Sequence, residues 1–285
     1  MWTDAEQEGS GAPDRRAPLA MTTGVQSPQR ARIPQRTLRT DRWWLPPTVV
    51  VIALTAWLAY GAVRVYLKDN YWVGEHHYLT PFYSPCTSDA CIPEAAHFGQ
   101  FIPDLAILPY AALSLPFLLL FRLTCYYYRR AYYRAFWQSP PACSVAEPHK
   151  KYTGETRFPL IFQNAHRYVF YIAVVITLVN TYDMILAFGG DGYTFGVGLG
   201  NLILIANVIL LWGYTVSCHS CRHVTGGRLR NFGKHPILYR WWTFVSRLNT
   251  RHMQYAWITL ASLVVTDFYI MAVSAGWITD VRFFN

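Results

Sequence analysis

Five apolar stretches, each long enough to cross a lipid bilayer, constrain this chain more than any motif it carries. A helix rising about 1.5 Å per residue needs about 20 apolar residues to span a hydrocarbon core of about 30 Å. Stretches of that length run over residues 43–67, 101–128, 166–188, 196–221 and 253–278. A composition of 53% hydrophobic and 14% charged residues supplies a surplus that soluble chains lack. The expected fold class is therefore all-α and integral to the membrane, a five-transmembrane-helix bundle over residues 43–285. Pro46 and Pro47 fall in the opening turn of the first helix, where no internal hydrogen bond is lost. Pro109 and Pro116 fall inside the second and predict a kink. Residues 1–42, rich in Gly, Pro, Gln and Arg, bury too little apolar surface to offset the entropy of ordering. They are expected to be a disordered cytoplasmic tail and not a cleaved signal peptide.

A net charge of +9 raises the question of nucleic acid, and its distribution answers it. Arg222, Arg228, Arg230, Lys234, Arg240, Arg247 and Arg251 follow one another with no acidic residue between them, and the segment from Arg129 to Arg167 is also basic. The opposite loops carry Asp69, Glu75, Asp89, Glu94 and Asp191. By the positive-inside rule the basic loops and the N-terminus are cytoplasmic and the C-terminus is outside. The chain shows no Gly-rich phosphate loop, no HExxH and no GxSxG.

The six cysteines divide by compartment. Cys86 and Cys91 lie in an outer loop, where oxidising conditions permit a disulfide closing a small ring. Cys125, Cys143, Cys218 and Cys221 fall at or near the cytoplasmic face, where a metal site is the sharper reading. The fourth helix is expected to run to Cys221, so Cys218 and Cys221 point the same way, because residues three apart share a helix face. His166, opening the third helix, and His252, opening the fifth, lie at the same depth. Two thiolates and two imidazoles make a four-ligand set suited to zinc or to a Rieske-type two-iron cluster. The same histidines are also candidates for the axial ligands of haem b. The plain alternative is that the cysteines are small packing residues and the histidines polar caps. Cys125, His219 and His223 stand close enough to replace one of the four.

Ionisable residues inside spans are functional candidates by default. Asp183 and Asp267 lie about 25 and 23 Å from the cytoplasmic ends of their helices by the helical rise. They either pass protons to a redox site or accept hydrogen bonds that hold the bundle together. Asn201 and Asn207 read as interhelical glue.

The run Thr124-Cys125-Tyr126-Tyr127-Tyr128-Arg129-Arg130-Ala131-Tyr132-Tyr133-Arg134 is followed by Ser139-Pro140-Pro141-Ala142-Cys143. Phe158-Pro159-Leu160-Ile161 then leads to Gln163-Asn164-Ala165-His166-Arg167-Tyr168. With these motifs the chain resembles the membrane-anchor subunit of actinobacterial-type succinate dehydrogenase, respiratory complex II, over about residues 43–280. The resemblance implies an anchor in the cell's plasma membrane that docks an iron-sulfur subunit and a flavoprotein subunit and passes electrons from succinate to a membrane quinone such as menaquinone. Related anchors commonly hold b haems, yet His76, His77 and His97 lie in or beside the outer loop and leave no mid-membrane ligand for an outer haem. That departure favours Cys218, Cys221, His166 and His252 as ligands of a Rieske-type 2Fe-2S cluster, with haem b as the alternative. The quinone is expected near that layer, against Trp241, Trp242, Arg247 and Tyr255. A transporter using Asp183 and Asp267 is the reading from another class, although the chain carries no internal repeat.

Overall fold

A computed structural model of the chain describes residues 39–84, 86, 88–96, 103, 109–146, 160–227 and 229–284. Most of the expected tail, His97 and Arg228, most of the first third of the expected second span, and Phe158-Pro159 of the motif run lie outside the described residues.

Helix α1, Leu45–Leu67, opens on Pro46 and Pro47, which sit where a helix has no partner for its N–H groups. It ends at Lys68 in the left-handed conformation. Arg64, one turn earlier, holds that ending by donating to the carbonyls of Asp69 and Asn70, at 3.1 Å each. Next comes a two-stranded hairpin, β1 Trp72–Val73 and β2 Tyr78–Leu79. Cys86 and Cys91 follow, joined as a disulfide with Cα atoms 5.9 Å apart.

Helix α2, Tyr110–Leu123, starts immediately after Pro109, which is its N-cap, and carries Pro116 within an otherwise continuous run. The sharp bend of this region comes later than the prolines suggest. Thr124 and Cys125 break the helix, and α3, Tyr126–Tyr132, leaves at 86° and tightens into a π turn over Tyr133–Trp137. Helix α4, His166–Leu186, is preceded by a 3₁₀ turn over Leu160–Ala165.

The expected fourth span is also shorter than the apolar run implies. Helix α5, Leu199–Val216, stops before the cysteines, and α6, His219–Gly226, begins after Cys218. Helix α7, Pro236–Asn249, is amphipathic and turns Ile237, Trp241 and Phe244 outward at helical spacing. Helix α8, His252–Ser274, completes the bundle, and β3, Val197–Gly198, pairs with β4, Arg282–Phe284. Among the described residues four helices are long and apolar enough to cross a membrane, or five if the bent α2–α3 pair is one span.

Helix α5 lies between α4 and α8. Gly213 lets it approach closely, since a methyl there would meet the Tyr255 ring of α8 at 2.7 Å. Polar pairs join the same helices: Ser262 donates to Asn207 at 2.6 Å and Trp212 to Thr181 at 3.0 Å. Asn201 caps the other end of α5, accepting from the Gly198 amide and from Tyr78 at 2.8 Å each.

The two intramembrane aspartates have partners at the hairpin end of the bundle. Asp183 accepts from Ser84 and from the Ala96 amide, so it fastens the disulfide loop to α4. Asp267 accepts from Arg64 Nε at 2.7 Å and from Tyr60 at 2.5 Å.

Candidate functional site

The ends of four helices meet at the opposite, basic end, and two of them end in the same way. At Cys125 and at Cys218 the backbone turns extended, with φ/ψ of −66°/130° and −62°/144°, and each cysteine becomes the N-cap of the short helix that follows. A hydroxyl residue precedes each one: Thr124 before Cys125 and Ser217 before Cys218. The first residues of α4 and α8, His166 and His252, project between these two breaks.

The contacts form a crossed pattern. His166 places Nδ1 2.7 Å from Thr124 Oγ1 and Nε2 3.0 Å from Cys218 Sγ. His252 places Nδ1 2.7 Å from Ser217 Oγ and Nε2 3.3 Å from Cys125 Sγ. Each hydroxyl dipeptide therefore orients one imidazole and presents its thiol to the other.

The hydroxyl protons settle the tautomers. Thr124 donates to the Leu120 carbonyl at 2.6 Å, and Ser217 donates to the Tyr214 carbonyl at 3.0 Å. A hydroxyl has one proton, so each must accept from the Nδ1–H of its histidine. Both imidazoles then carry a lone pair on Nε2, aimed at the thiol layer, in the arrangement by which an outer hydrogen bond fixes a metal-ligating histidine.

Aromatic rings back both histidines. Phe121 stacks on His166 at 5.2 Å with 8° between the planes, and Tyr214 stacks on His252 at 5.1 Å with 11°. Burial pushes the Cys218 thiol up to about 12, with the neighbouring Cys125 adding to the effect, so Cys218 is a neutral thiol without a metal. Among the described residues no three His, Cys, Asp or Glu side chains converge on a single-ion site. The four donors stand instead as two thiol–imidazole pairs.

The structure brings three of the four expected residues together and sets Cys221 apart. Cys218 is extended and does not share a helix face with Cys221, whose sulfur turns to Thr225 at 4.0 Å within α6. Cys125 takes the place expected for Cys221. His223 accepts from Arg167 at 2.9 Å, and both His219 and His223 line the cavity beside the thiols.

That cavity, about 830 Å³, is walled by all four donors together with Tyr127, Arg129, Gln163, Arg167 and Asn249. None of Trp241, Trp242, Arg247 or Tyr255 lines it. Trp241 is 56% exposed on the outward face of α7. Trp242 is held by Phe232, Tyr239 and the Arg222 guanidinium, and Tyr255 packs against Gly213 of α5. Trp241 and Trp242 lie on α7 and Tyr255 on α8, outside the cavity wall, to which α6 contributes His219 and His223 and α7 contributes Asn249.

A bent helical bundle with four or five helices of bilayer length and a buried Cys/His layer at its basic end is the architecture of a multi-pass membrane protein. Residues 45–276 match the family described as actinobacterial succinate dehydrogenase subunit SdhC, and the chain belongs to that family. It is the membrane-anchor subunit of a succinate dehydrogenase complex, an oxidoreductase whose succinate oxidation takes place on partner subunits. Among solved structures, the Mycobacterium smegmatis Sdh1 complex in the apo form contains a chain 65% identical to this one. The match has a TM-score of 0.84 and covers 92% of this chain and 99% of that chain. No curated protein matches the chain.

Proposed function

We propose that this anchor relays electrons from succinate to a membrane quinone, menaquinone being one candidate, with Cys125, Cys218, His166 and His252 as the ligands of a Rieske-type 2Fe-2S cluster. The carrying observation is the crossed site itself: two thiols and two Nε2 lone pairs from four chain segments, with each Nδ1 fixed by a hydroxyl. Two thiolates and two imidazoles match the mixed donor set such a cluster takes. Bound there, the cluster supplies one-electron transfer at a potential raised by imidazole ligation. A haem uses the histidines alone and leaves both thiols without a role.

The chain's own residues do the rest. Thr124 and Ser217 orient the imidazoles, and Phe121 and Tyr214 hold the rings flat. The 830 Å³ cavity, with Tyr127, Gln163 and Asn249 in its wall, has the size and mixed lining of a small-molecule site and is where we place the quinone head group. The basic loops make this end cytoplasmic by the positive-inside rule. The anchor then has five spans over 43–285 in the plasma membrane, a cytoplasmic tail over 1–42, an outer C-terminus, and an iron-sulfur and a flavoprotein subunit docked on its basic face.

Electron paramagnetic resonance of the purified, succinate-reduced complex tests the ligand set. Cys125→Ser and Cys218→Ser should each abolish a Rieske-like signal and quinone reduction while leaving succinate oxidation with an artificial acceptor intact. Cys221→Ser and Trp241→Ala should keep both signal and quinone reduction. A signal lost in Cys221→Ser but kept in Cys125→Ser would overturn the assignment, and a Soret band in place of the signal would favour haem.

A further inference from the structure

One buried charge in the bundle is used by nothing described so far. Arg122, in the last turn of α2, is 7% exposed. Its Nη1 donates to the Tyr128 hydroxyl at 2.8 Å, and that hydroxyl itself donates to the Ala256 carbonyl. The guanidinium carbon lies 4.9 Å from the centre of the Tyr214 ring and 5.5 Å from those of Tyr128 and Trp57. Among the described residues no carboxylate reaches it. The carboxylates that pair with the arginines of the bundle, Asp267 with Arg64 and Asp280 with Arg282, belong to the hairpin end. Ring faces attract a cation, but an unpaired buried charge remains among the most costly groups a bundle can hold.

Its position suggests what offsets that cost. The Tyr214 ring contacts both the guanidinium and the His252 ring, and the residue next to Arg122, Phe121, stacks on the other histidine. Arg122 thus stands one ring away from the thiol–imidazole layer and is buried, so solvent and salt screen it little. When the redox centre takes one electron from succinate oxidation, the site gains one negative charge and no bond forms or breaks.

We propose that Arg122 is the counter-charge for that electron: a cation left unpaired in the oxidised site so that the reduced site is neutralised, which raises the reduction potential. This rests on the redox reading of the Cys/His layer. It makes Arg122 a tuning residue that acts through the field at His252 and Cys125, not a ligand.

The test is a potentiometric titration of the paramagnetic signal in the intact complex, unaltered and in four variants. Arg122→Met, which removes the charge and keeps most of the volume, should disfavour reduction by about tenfold, or about 59 mV for one electron. Arg122→Lys keeps the charge, and Tyr128→Phe keeps the charge but removes the hydrogen bond, so both should stay near the parental potential. Asn180→Asp covers the case in which Arg122→Met fails to assemble. Asn180 and Arg122 line the same small internal cavity of about 30 Å³, so a carboxylate there opposes the field of the guanidinium and should also lower the potential. An unchanged potential in Arg122→Met overturns the proposal. So does an unchanged potential in Asn180→Asp if Arg122→Met does not assemble. An unaltered complex without the signal refutes the cluster reading instead, which separates the two failures.

Discussion

Replacing Asp267 by Leu tests whether the ion pair inside the bundle is a structural joint or a proton station. The Asp267 side chain is 0% exposed and that of its partner Arg64 5%, and they meet at 2.7 Å with Tyr60 as a third member. Removing one partner of a buried pair destabilises by about 3–5 kcal/mol, because the other charge is stranded. Arg64 keeps two backbone acceptors in its ending of α1, which places the expected loss near the lower limit, about 3 kcal/mol. At about 2–4 °C per kcal/mol for a chain of this size, the thermal midpoint should fall by roughly 6–12 °C. The double variant Arg64→Met, Asp267→Leu strands nothing and should recover most of that loss. Midpoints are read by heating the detergent-purified complex and following a tag on this chain by size-exclusion chromatography. A shift below about 2 °C in the single variant would refute the energetic argument. A double variant that is as stable as the parent but no longer reduces quinone would show that Asp267 moves protons.

Thr124→Val and Ser217→Ala each remove the oxygen that receives an Nδ1–H, and loss of such an outer partner typically lowers metal affinity by about 10–100-fold. Iron retained per complex during chelator challenge should fall accordingly, and unchanged retention would refute the tautomer assignment. Gly200→Ala would set a methyl against the ring of Tyr78, which is buried and tied to Asn201 and Asp280, so overpacking should cost about 1–3 kcal/mol. Gly61→Ala, whose methyl meets Phe82 at an ordinary 3.5 Å, serves as the control in the same thermal assay.

The spans were legible because a bilayer imposes a length, and about 20 consecutive apolar residues are seldom found in a chain that does not cross one. Their interruptions were not. Thr, Ser and Cys neither forbid a helix as Pro does nor end one as Gly does, so the breaks after Leu123 and Val216 left little trace in composition. The prolines, which did signal a disturbance, sit at the N-cap of α2 and inside it, while the 86° bend lies further on. Arg64 was hidden for a related reason: one cation in a long apolar run hardly changes its hydropathy. The partner of Asp267 was hidden by distance along the chain, since Arg64 is 203 residues away.

The choice between Cys125 and Cys221 turns on the same point. The rule that residues three apart share a face holds only where the helix continues, and at Cys218 it does not. Three hydroxyl–thiol dipeptides stand in this chain at the basic end: Thr124-Cys125, Ser217-Cys218 and Ser220-Cys221. Nothing in their composition ranks them. The first two fall where a long helix stops, so the backbone turns extended, the hydroxyl folds back on the carbonyl four or three residues earlier, and the thiol swings toward the bundle axis. The third falls inside α6, where Ser220 and Cys221 are fixed by that helix's own turns and the sulfur faces the Thr225 hydroxyl. A dipeptide of this kind becomes half of a site only when a helix end supplies the turn and another helix begins with histidine at the same depth, as His166 and His252 both do.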